Sequence, residues 1–269
     1  MIRSLTALFL LALCLIRPAW AQSDIGTPAT GEILPGWVQQ DGTHMAAIRI
    51  KLQPGWKTYW RSPGDAGIPP QFNWQGSSNL GDVRIIWPAP LVIPQNGMQT
   101  IGYKDVLVLP LAVAPRNQGQ PVDLRLQLNI GVCEDICVPF DLSLQGTLTG
   151  NDTRPTPAIV AALAARPYSG SEAGVSAATC RLRPNDDGLE ITAQITMPPA
   201  GGREVVIIEP GQTGIWTSET DARRAGQQLI AVGDMVPTRG TGIAIDRSKI
   251  TLTVLGRDKA VEIKGCTPG

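Results

Sequence analysis

The chain has 269 residues, of which 43% are hydrophobic and 17% charged, and its 29 Gly and 23 Pro together occupy nearly one position in five. This composition excludes a coiled coil or a long helical bundle. The 23 basic and 23 acidic side chains give a formal net charge of zero. The chain has no excess of positive charge that would bind the phosphate backbone of a nucleic acid, so nucleic acid is not an expected partner.

The first 21 residues have the pattern of a secretory signal. Arg3 precedes an apolar run over residues 5–16, and the small residues Ala19 and Ala21 follow it, which predicts cleavage after Ala21. The apolar run is shorter than the roughly 20 residues that cross a bilayer. We therefore expect an exported protein that is not inserted in a membrane.

Two stretches of short, alternating runs predict two β-sandwich domains. Strand-like runs broken by Gly and Pro fill residues 22–150, and the same rhythm resumes over residues 169–269. Between them, residues 151–168 contain Pro155 and Pro157 followed by an alanine-rich run, which predicts a short helical linker. The expected fold class is all-β, with two antiparallel sandwiches joined by a short helix.

The cysteines that follow the signal favour disulfides over a metal site, because their number is even and the chain is expected to be exported. Four cysteines allow three pairings, and their positions favour Cys133 with Cys137 and Cys180 with Cys266. Closing a loop of about 5 residues is worth roughly 2 kcal/mol, whereas a loop of roughly 87 residues is worth about 4.6 kcal/mol. Cys180 and Cys266 are therefore interpreted as a structural disulfide.

The Cys133–Cys137 pair remains open to two interpretations at this point, a redox-active disulfide or a weak staple. An alternating strand pattern leads directly into Cys133, so the pair is predicted to lie at a turn that follows a strand. Glu134 and Asp135 between the cysteines disfavour a thiolate by charge repulsion. Such a pair suits a carrier that reacts only when it is docked to its partner.

Several sequence blocks, in the right order, resemble one known family. They are GWKTYWRSPGDAG at residues 55–67, WPAP at 87–90, Gly102-Tyr103, and CEDICVP at 133–139. Together they resemble the N-terminal periplasmic domain of the DsbD and ScsB thiol:disulfide interchange proteins over roughly residues 31–146. The tryptophan-rich block is most similar to the ScsB branch.

This resemblance implies an immunoglobulin-like sandwich in the periplasm that acts as a thiol:disulfide oxidoreductase of the protein-disulfide reductase type. Cys133 and Cys137 would be catalytic, Cys137 forming a mixed disulfide with a partner and Cys133 resolving it. The expected partners are a membrane-embedded thiol reductant and periplasmic thioredoxin-like proteins, and neither a cofactor nor a metal is expected. Family members continue into a transmembrane domain and this chain does not, so we expect that a separate membrane protein reduces it or that it works in a different circuit.

The resemblance also suggests shielding and docking residues. The family covers its cysteine pair with a loop that bears an aromatic residue, but the aligned residues 95–100 contain none, so Met98 is the expected shield. A docking rim for partner proteins is predicted in the tryptophan-rich block and in the Gly102-Tyr103 block. Aromatic residues in a small sandwich usually lie in the core, and this is the alternative for them here. The rim residues are Trp60, Arg61, Asp65 and Tyr103.

Two alternative functions come from other classes. A copper-handling or copper-tolerance protein would use Cys133 and Cys137 together with Met98 and His44 as ligands. A binding module would use both disulfides as staples only. Redox behaviour discriminates between the three, because a carrier pair equilibrates with glutathione buffers, a staple stays oxidised, and a copper site binds Cu(I) only when it is reduced.

Overall fold

The computed structural model describes residues 26–95, 97–150, 152–240 and 243–269. The predicted signal at residues 1–21 lies outside this part of the chain. Within it, no helix combines the length and the apolar character that a membrane span requires.

The first sandwich consists of two packed antiparallel sheets. One sheet has the strand order β1-β2-β8-β5, and the other has the order β10-β9-β3-β7-β6 with β4 paired to β9. Alternate residues of both sheets meet in a core that includes Ile48, Leu109 and Leu126. The strands are β1 (Ala29–Val38), β2 (His44–Leu52), β3 (Lys57–Tyr59), β4 (Gln71–Asn73), β5 (Leu80–Ile85), β6 (Leu91–Gln95), β7 (Met98–Lys104), β8 (Val106–Pro115), β9 (Val122–Cys133) and β10 (Cys137–Leu148).

The second sandwich repeats this layer plan. Its sheets have the orders β11-β19-β18-β14 and β15-β17-β13-β12-β20, with β16 paired to β17. Its own core includes Ile191, Leu252 and Val261. The strands are β11 (Tyr168–Ser169), β12 (Ala177–Pro184), β13 (Leu189–Thr196), β14 (Val205–Glu209), β15 (Ile215–Thr217), β16 (Asp221–Ala225), β17 (Gln228–Pro237), β18 (Thr251–Leu255), β19 (Ala260–Lys264) and β20 (Thr267–Pro268). The predicted fold class is confirmed.

The helix α1 (Pro157–Ala164) lies between the sandwiches in sequence and has a proline in its first turn, as predicted. It packs on the outer face of the first sandwich, where the fully buried Ile159 contacts Met45, Ala47 and Ala112. The helix is therefore a docked element rather than a bare connector. The division into residues 22–150, 151–168 and 169–269 stays a prediction, which the two separate cores support.

The two sandwiches touch through the outer face of the sheet that contains β14, β18 and β19. Val206, Val254 and Val261 point into the second core, so their neighbours along the strands face the other way. One of these neighbours, Leu255, belongs to the buried cluster of the first sandwich. The rest of this patch packs against that cluster and consists of Val205, Ile207 and Ala260. The interface is thus apolar at its centre.

Candidate functional site

The strands β9 and β10 form a long hairpin that ends in the first disulfide. The register pairs Cys137 directly with Cys133, and the two Cα atoms lie 4.1 Å apart. The sulfurs are bonded, and the three intervening residues form an exposed turn in which Ile136 is 70% exposed. The sequence pattern predicted this position at the end of a strand.

The two cysteines differ in access to solvent. Cys133 is 0% exposed, whereas Cys137 is only half-buried. A thiolate from another protein can therefore approach the sulfur of Cys137 more easily than that of Cys133.

Tyr59 is the side chain that the sequence reasoning missed. The strand β3 lies beside β9, with Lys57 opposite Cys133, so Tyr59 shares a face of the sheet with the cysteines. Its hydroxyl lies 3.0 Å from the sulfur of Cys137. Burial raises the pKa of Tyr59, so the phenol keeps its proton and can donate it in a hydrogen bond.

A glycine makes this contact possible. A Cβ atom at Gly131 would lie 2.7 Å from Cδ2 of Tyr59 and 2.6 Å from Cβ of Ile68, so any larger residue there would displace the ring. The ring lies directly against the bare backbone of β9. The sequence held a signal for this packing, because Gly131 interrupts an otherwise regular strand pattern two residues before Cys133.

Residues 61–70, called here the covering segment, approach the Tyr59 ring at Gly67. Ile68 contacts the same backbone at Gly131, and Gly67 lies close to both Pro63 and Tyr59. Tyr59 is consequently 1% exposed. The aromatic side chain beside the cysteine pair is thus Tyr59, which is itself buried.

Met98 is not placed to shield the sulfurs. It lies at the start of β7, and the other end of that strand, Lys104, pairs with Lys57 at the level of Cys133. Six residues of extended strand separate the two ends, which is about 20 Å. Met98 is 46% exposed at the β6–β7 hairpin, and its neighbour Asn96 lies outside the described residues. The expected shielding by Met98 is wrong in this structure, because the aligned loop belongs to the far end of the strand.

The predicted docking rim is also wrong for two of its four residues. Trp60 is 0% exposed and Tyr103 is 7% exposed, with its hydroxyl donating to the carbonyl oxygen of Pro88 at 2.8 Å. Neither can reach a partner without unpacking the core. Arg61 is committed to ion pairs with the second sandwich. Of the four, only Asp65 is exposed, and its pKa is raised by the partial burial of its carboxyl group and then by the charge of nearby Glu219.

Positive charge lies in the same row of the sheet as the cysteines. The register places Lys104, Lys57 and Cys133 side by side across three strands. Lys57 is buried, and its pKa is lowered by burial and by the charge of Lys104. The sequence predicted that Glu134 and Asp135 disfavour a thiolate, and these lysines oppose that effect. Glu134 and Asp135 are exposed in the turn, and the Glu134 carboxylate lies beside Gly55.

The second disulfide has a different setting. Cys180 on β12 is fully buried in the core of the second sandwich, and Cys266 lies in the segment between β19 and β20. Their sulfurs are bonded, and their Cα atoms lie 5.7 Å apart. This disulfide ties the end of the chain to the second core.

The residues considered as copper ligands are not brought together. His44 lies beside Gly150, just past the end of β10 that pairs with Val122. Cys133 is eleven positions further along β9, roughly 35 Å away, and Met98 is distant as well. Within the described residues, no group of three or more His, Cys, Asp and Glu side chains could hold a metal ion.

Comparison with known proteins identifies the first sandwich. Residues 30–148 match the family model of the thiol:disulfide interchange protein DsbD, N-terminal. Residues 30–148 are a DsbD N-terminal domain. This assignment supports a role in thiol:disulfide interchange in general. The hairpin with Cys133 and Cys137 lies inside the matched region of the DsbD N-terminal domain.

The second sandwich lies beyond the family match but within a structural one. The crystal structure of the N-terminal periplasmic domain of ScsB from Proteus mirabilis superposes with a TM-score of 0.66 and 22% identity, covering 90% of this chain and 92% of that chain. At this identity the likeness shows a common fold across both sandwiches. The collagen adhesin CNA from S. aureus gives a TM-score of 0.15 at 7% identity over 89% of this chain and 93% of that chain, too low to carry an argument. No curated protein sequence matches the chain.

Proposed function

We propose that the Cys133–Cys137 pair relays electrons between proteins by thiol:disulfide exchange. The observation that carries this proposal is the unequal access to the two sulfurs, with Cys133 fully buried and Cys137 half-buried under the hydroxyl of Tyr59. One exposed sulfur can form a mixed disulfide, while its buried neighbour is held in place to resolve it. Membership of residues 30–148 in the DsbD N-terminal family supports the same chemistry.

Reduction of the pair begins with a donor dithiol. A donor thiolate attacks the sulfur of Cys137, the bond between Cys133 and Cys137 breaks, and Cys133 leaves as a thiolate that takes up a proton. The second donor thiol, as its thiolate, then attacks the donor sulfur of the mixed disulfide and releases Cys137 as a thiolate, which also takes up a proton. Two electrons and two protons have moved to the domain, and the donor has become a disulfide.

The oxidation half-cycle runs in the opposite direction. The thiolate of Cys137 attacks the disulfide of an acceptor, and one acceptor sulfur leaves as a thiolate. Cys133 loses its proton and attacks the sulfur of Cys137, which restores the intramolecular disulfide and releases the reduced acceptor. In this scheme Tyr59 donates its O–H to the Cys137 thiolate, which favours the charged form.

The cellular setting of this proposal follows from the family resemblance and the predicted signal. The relay operates in the periplasm after cleavage behind Ala21. Its electron donor is a membrane-embedded thiol reductant, and its acceptors are thioredoxin-like proteins. The DsbD N-terminal family assignment and the thiol:disulfide exchange chemistry support this choice of partners.

The assignment of roles is tested with single-cysteine variants in the full chain. The Cys133→Ala variant should form a glutathione adduct at Cys137 when it is incubated with oxidised glutathione, as measured by the mass of the intact protein. The matched Cys137→Ala variant should react at least tenfold more slowly at Cys133, because that sulfur is buried. Equal reaction rates would contradict the assignment.

The exchange itself is tested on the unaltered protein. Equilibration in glutathione buffers should reduce Cys133–Cys137 at potentials near about −200 mV, while Cys180–Cys266 should stay oxidised down to about −300 mV. Peptide mapping after alkylation distinguishes the two pairs. A first pair that stays oxidised throughout would show that both disulfides are staples.

A further inference from the structure

Two side chains of the second sandwich bind Arg61, which lies two residues after Tyr59. The guanidinium of Arg61 donates to both carboxylate oxygens of Glu209 at 2.8 Å and to Oε2 of Glu262 at 2.6 Å. It also lies over the ring of Trp60, 4.3 Å from the ring centroid. We call Arg61, Glu209 and Glu262 the clamp.

The clamp is more buried than an ordinary surface ion pair. All three side chains are about three-quarters buried, with 25%, 21% and 24% exposed. Burial by itself would lower the pKa of Arg61, but the hydrogen bonds and charges of Glu209 and Glu262 outweigh it and raise that pKa. The two-pronged contact with Glu209 fixes the orientation of the guanidinium as well as its position.

The clamp holds the covering segment at its first residue. Further along, Pro63, Gly64 and Pro69 line a cleft of about 470 Å³ whose other wall includes Thr217 and Glu219 of the second sandwich. The covering segment therefore has the second sandwich on one side and the Tyr59 ring on the other. Within the segment, the N–H of Gly67 donates to the carbonyl oxygen of Gly64, and outside it the N–H of Ile101 on β7 donates to the carbonyl oxygen of Pro63. Its position depends on these outside contacts.

We propose that Glu209 and Glu262 are positioning residues for the redox pair. They act through Arg61, which holds the covering segment down on Tyr59 and so keeps the Tyr59 hydroxyl on the sulfur of Cys137. The inference rests on the proposed function and adds to it a task for the second sandwich. In the reduced protein, the clamp keeps the donor of Tyr59 aimed at the Cys137 thiolate and makes that thiolate easier to form.

The test measures the pH profile of Cys137 alkylation by iodoacetamide, in a Cys133→Ala background where Cys137 has no disulfide partner. Adding Tyr59→Phe removes the donor and should lower the acid dissociation constant of Cys137 about tenfold, the size expected for one hydrogen bond to a charged group. Adding Glu209→Gln together with Glu262→Gln should also lower the acid dissociation constant of Cys137, by about threefold. Glu172→Gln is the matched control, because it removes a carboxylate of the second sandwich that pairs with Arg166, and it should leave the profile unchanged.

A double-mutant cycle separates positioning from general loosening. If the clamp acts through Tyr59, the two glutamine substitutions should have no further effect once Tyr59→Phe is present. An equal shift in both backgrounds would overturn the inference, as would an unchanged profile in a folded clamp variant. Should the double variant fail to fold, Glu262→Gln alone keeps the Glu209 contact and must give a smaller shift in the same direction.

The outcome is independent of the proposed function. The pH profile reports on one thiol and can be measured whether or not the pair exchanges electrons with another protein. A pair that is inert towards glutathione buffers would end the relay proposal and leave the clamp standing. A normal exchange reaction together with an unchanged pH profile in the clamp variant would support the relay proposal and overturn the clamp inference.

Discussion

The two sandwiches share one layer plan, and each carries a single disulfide, but the disulfides lie in different places. In the first sandwich, the bonded cysteines are four positions apart at the turn end of one hairpin. In the second, they are 86 positions apart, and Cys180 lies in the core. A bond that closes a short loop at the surface contributes little to stability and can open without unpacking anything. A bond that closes a long loop through the core is suited to holding the fold.

The largest expected effect comes from removing each disulfide in turn. Cys180→Ala with Cys266→Ala should lower the free energy of unfolding by about 4.6 kcal/mol, because the long loop regains its entropy in the unfolded chain. Cys133→Ala with Cys137→Ala should lower it by about 2 kcal/mol. Urea unfolding of both variants measures the difference. Equal losses would remove the stability contrast between the two disulfides.

A smaller effect is expected from two strand glycines, one in each sandwich. Gly131→Ala forces a methyl group into Tyr59 and Ile68 at under 3 Å and should cost about 1–3 kcal/mol. Gly233→Ala is the matched control on β17, where the new atom would meet Thr220 and Ser218 at 3.2 and 3.3 Å. Its loss should be clearly smaller in the same unfolding assay. A Gly131→Ala variant as stable as Gly233→Ala would argue against tight packing of the Tyr59 ring.

The smallest effect concerns His44, the chain's one histidine, which lies buried in the first sandwich. Burial lowers its pKa in the folded protein, so the unfolded chain takes up the proton first as the pH falls below about 6.5. The stability of the first sandwich is therefore complete above that pH and falls below it, by at most about 1.4 kcal/mol per pH unit. His44→Gln should remove this slope between pH 6.5 and 5. If the stability of the variant depended on pH as steeply as that of the unaltered protein, a group other than His44 would be responsible.

Much of the fold follows from short-range sequence signals. Strict alternation over Leu124, Leu126, Leu128 and Ile130 predicts the strand β9, and all four side chains are buried in the first core. The proline-led alanine run predicts α1. The two cysteines at the end of a predicted strand lie at a hairpin turn, because strand and turn are both local structures. These features depend on neighbours in sequence.

The surroundings of the sulfurs depend on neighbours in space. Tyr59 reaches Cys137 because β3 inserts between β7 and β9, although 78 positions separate the two residues. No local pattern encodes that insertion. The same is true of Trp60 and Arg61, which resemble exposed docking residues in sequence. Trp60 is instead fully buried in the first core, and the guanidinium of Arg61 is bound by Glu209 and Glu262 of the second sandwich. Sequence spacing located the cysteine pair but not the side chains that surround it.

The hairpin register has a kinetic consequence. Because β9 and β10 remain hydrogen-bonded up to the cysteines, their Cα atoms are held about 4 Å apart by the ladder itself. A thiol tethered in this way acts at an effective molarity far above that of any free thiol in solution. Complexes joined through Cys137 should therefore be short-lived, and the speed with which a bound protein is released is built into the backbone of one hairpin.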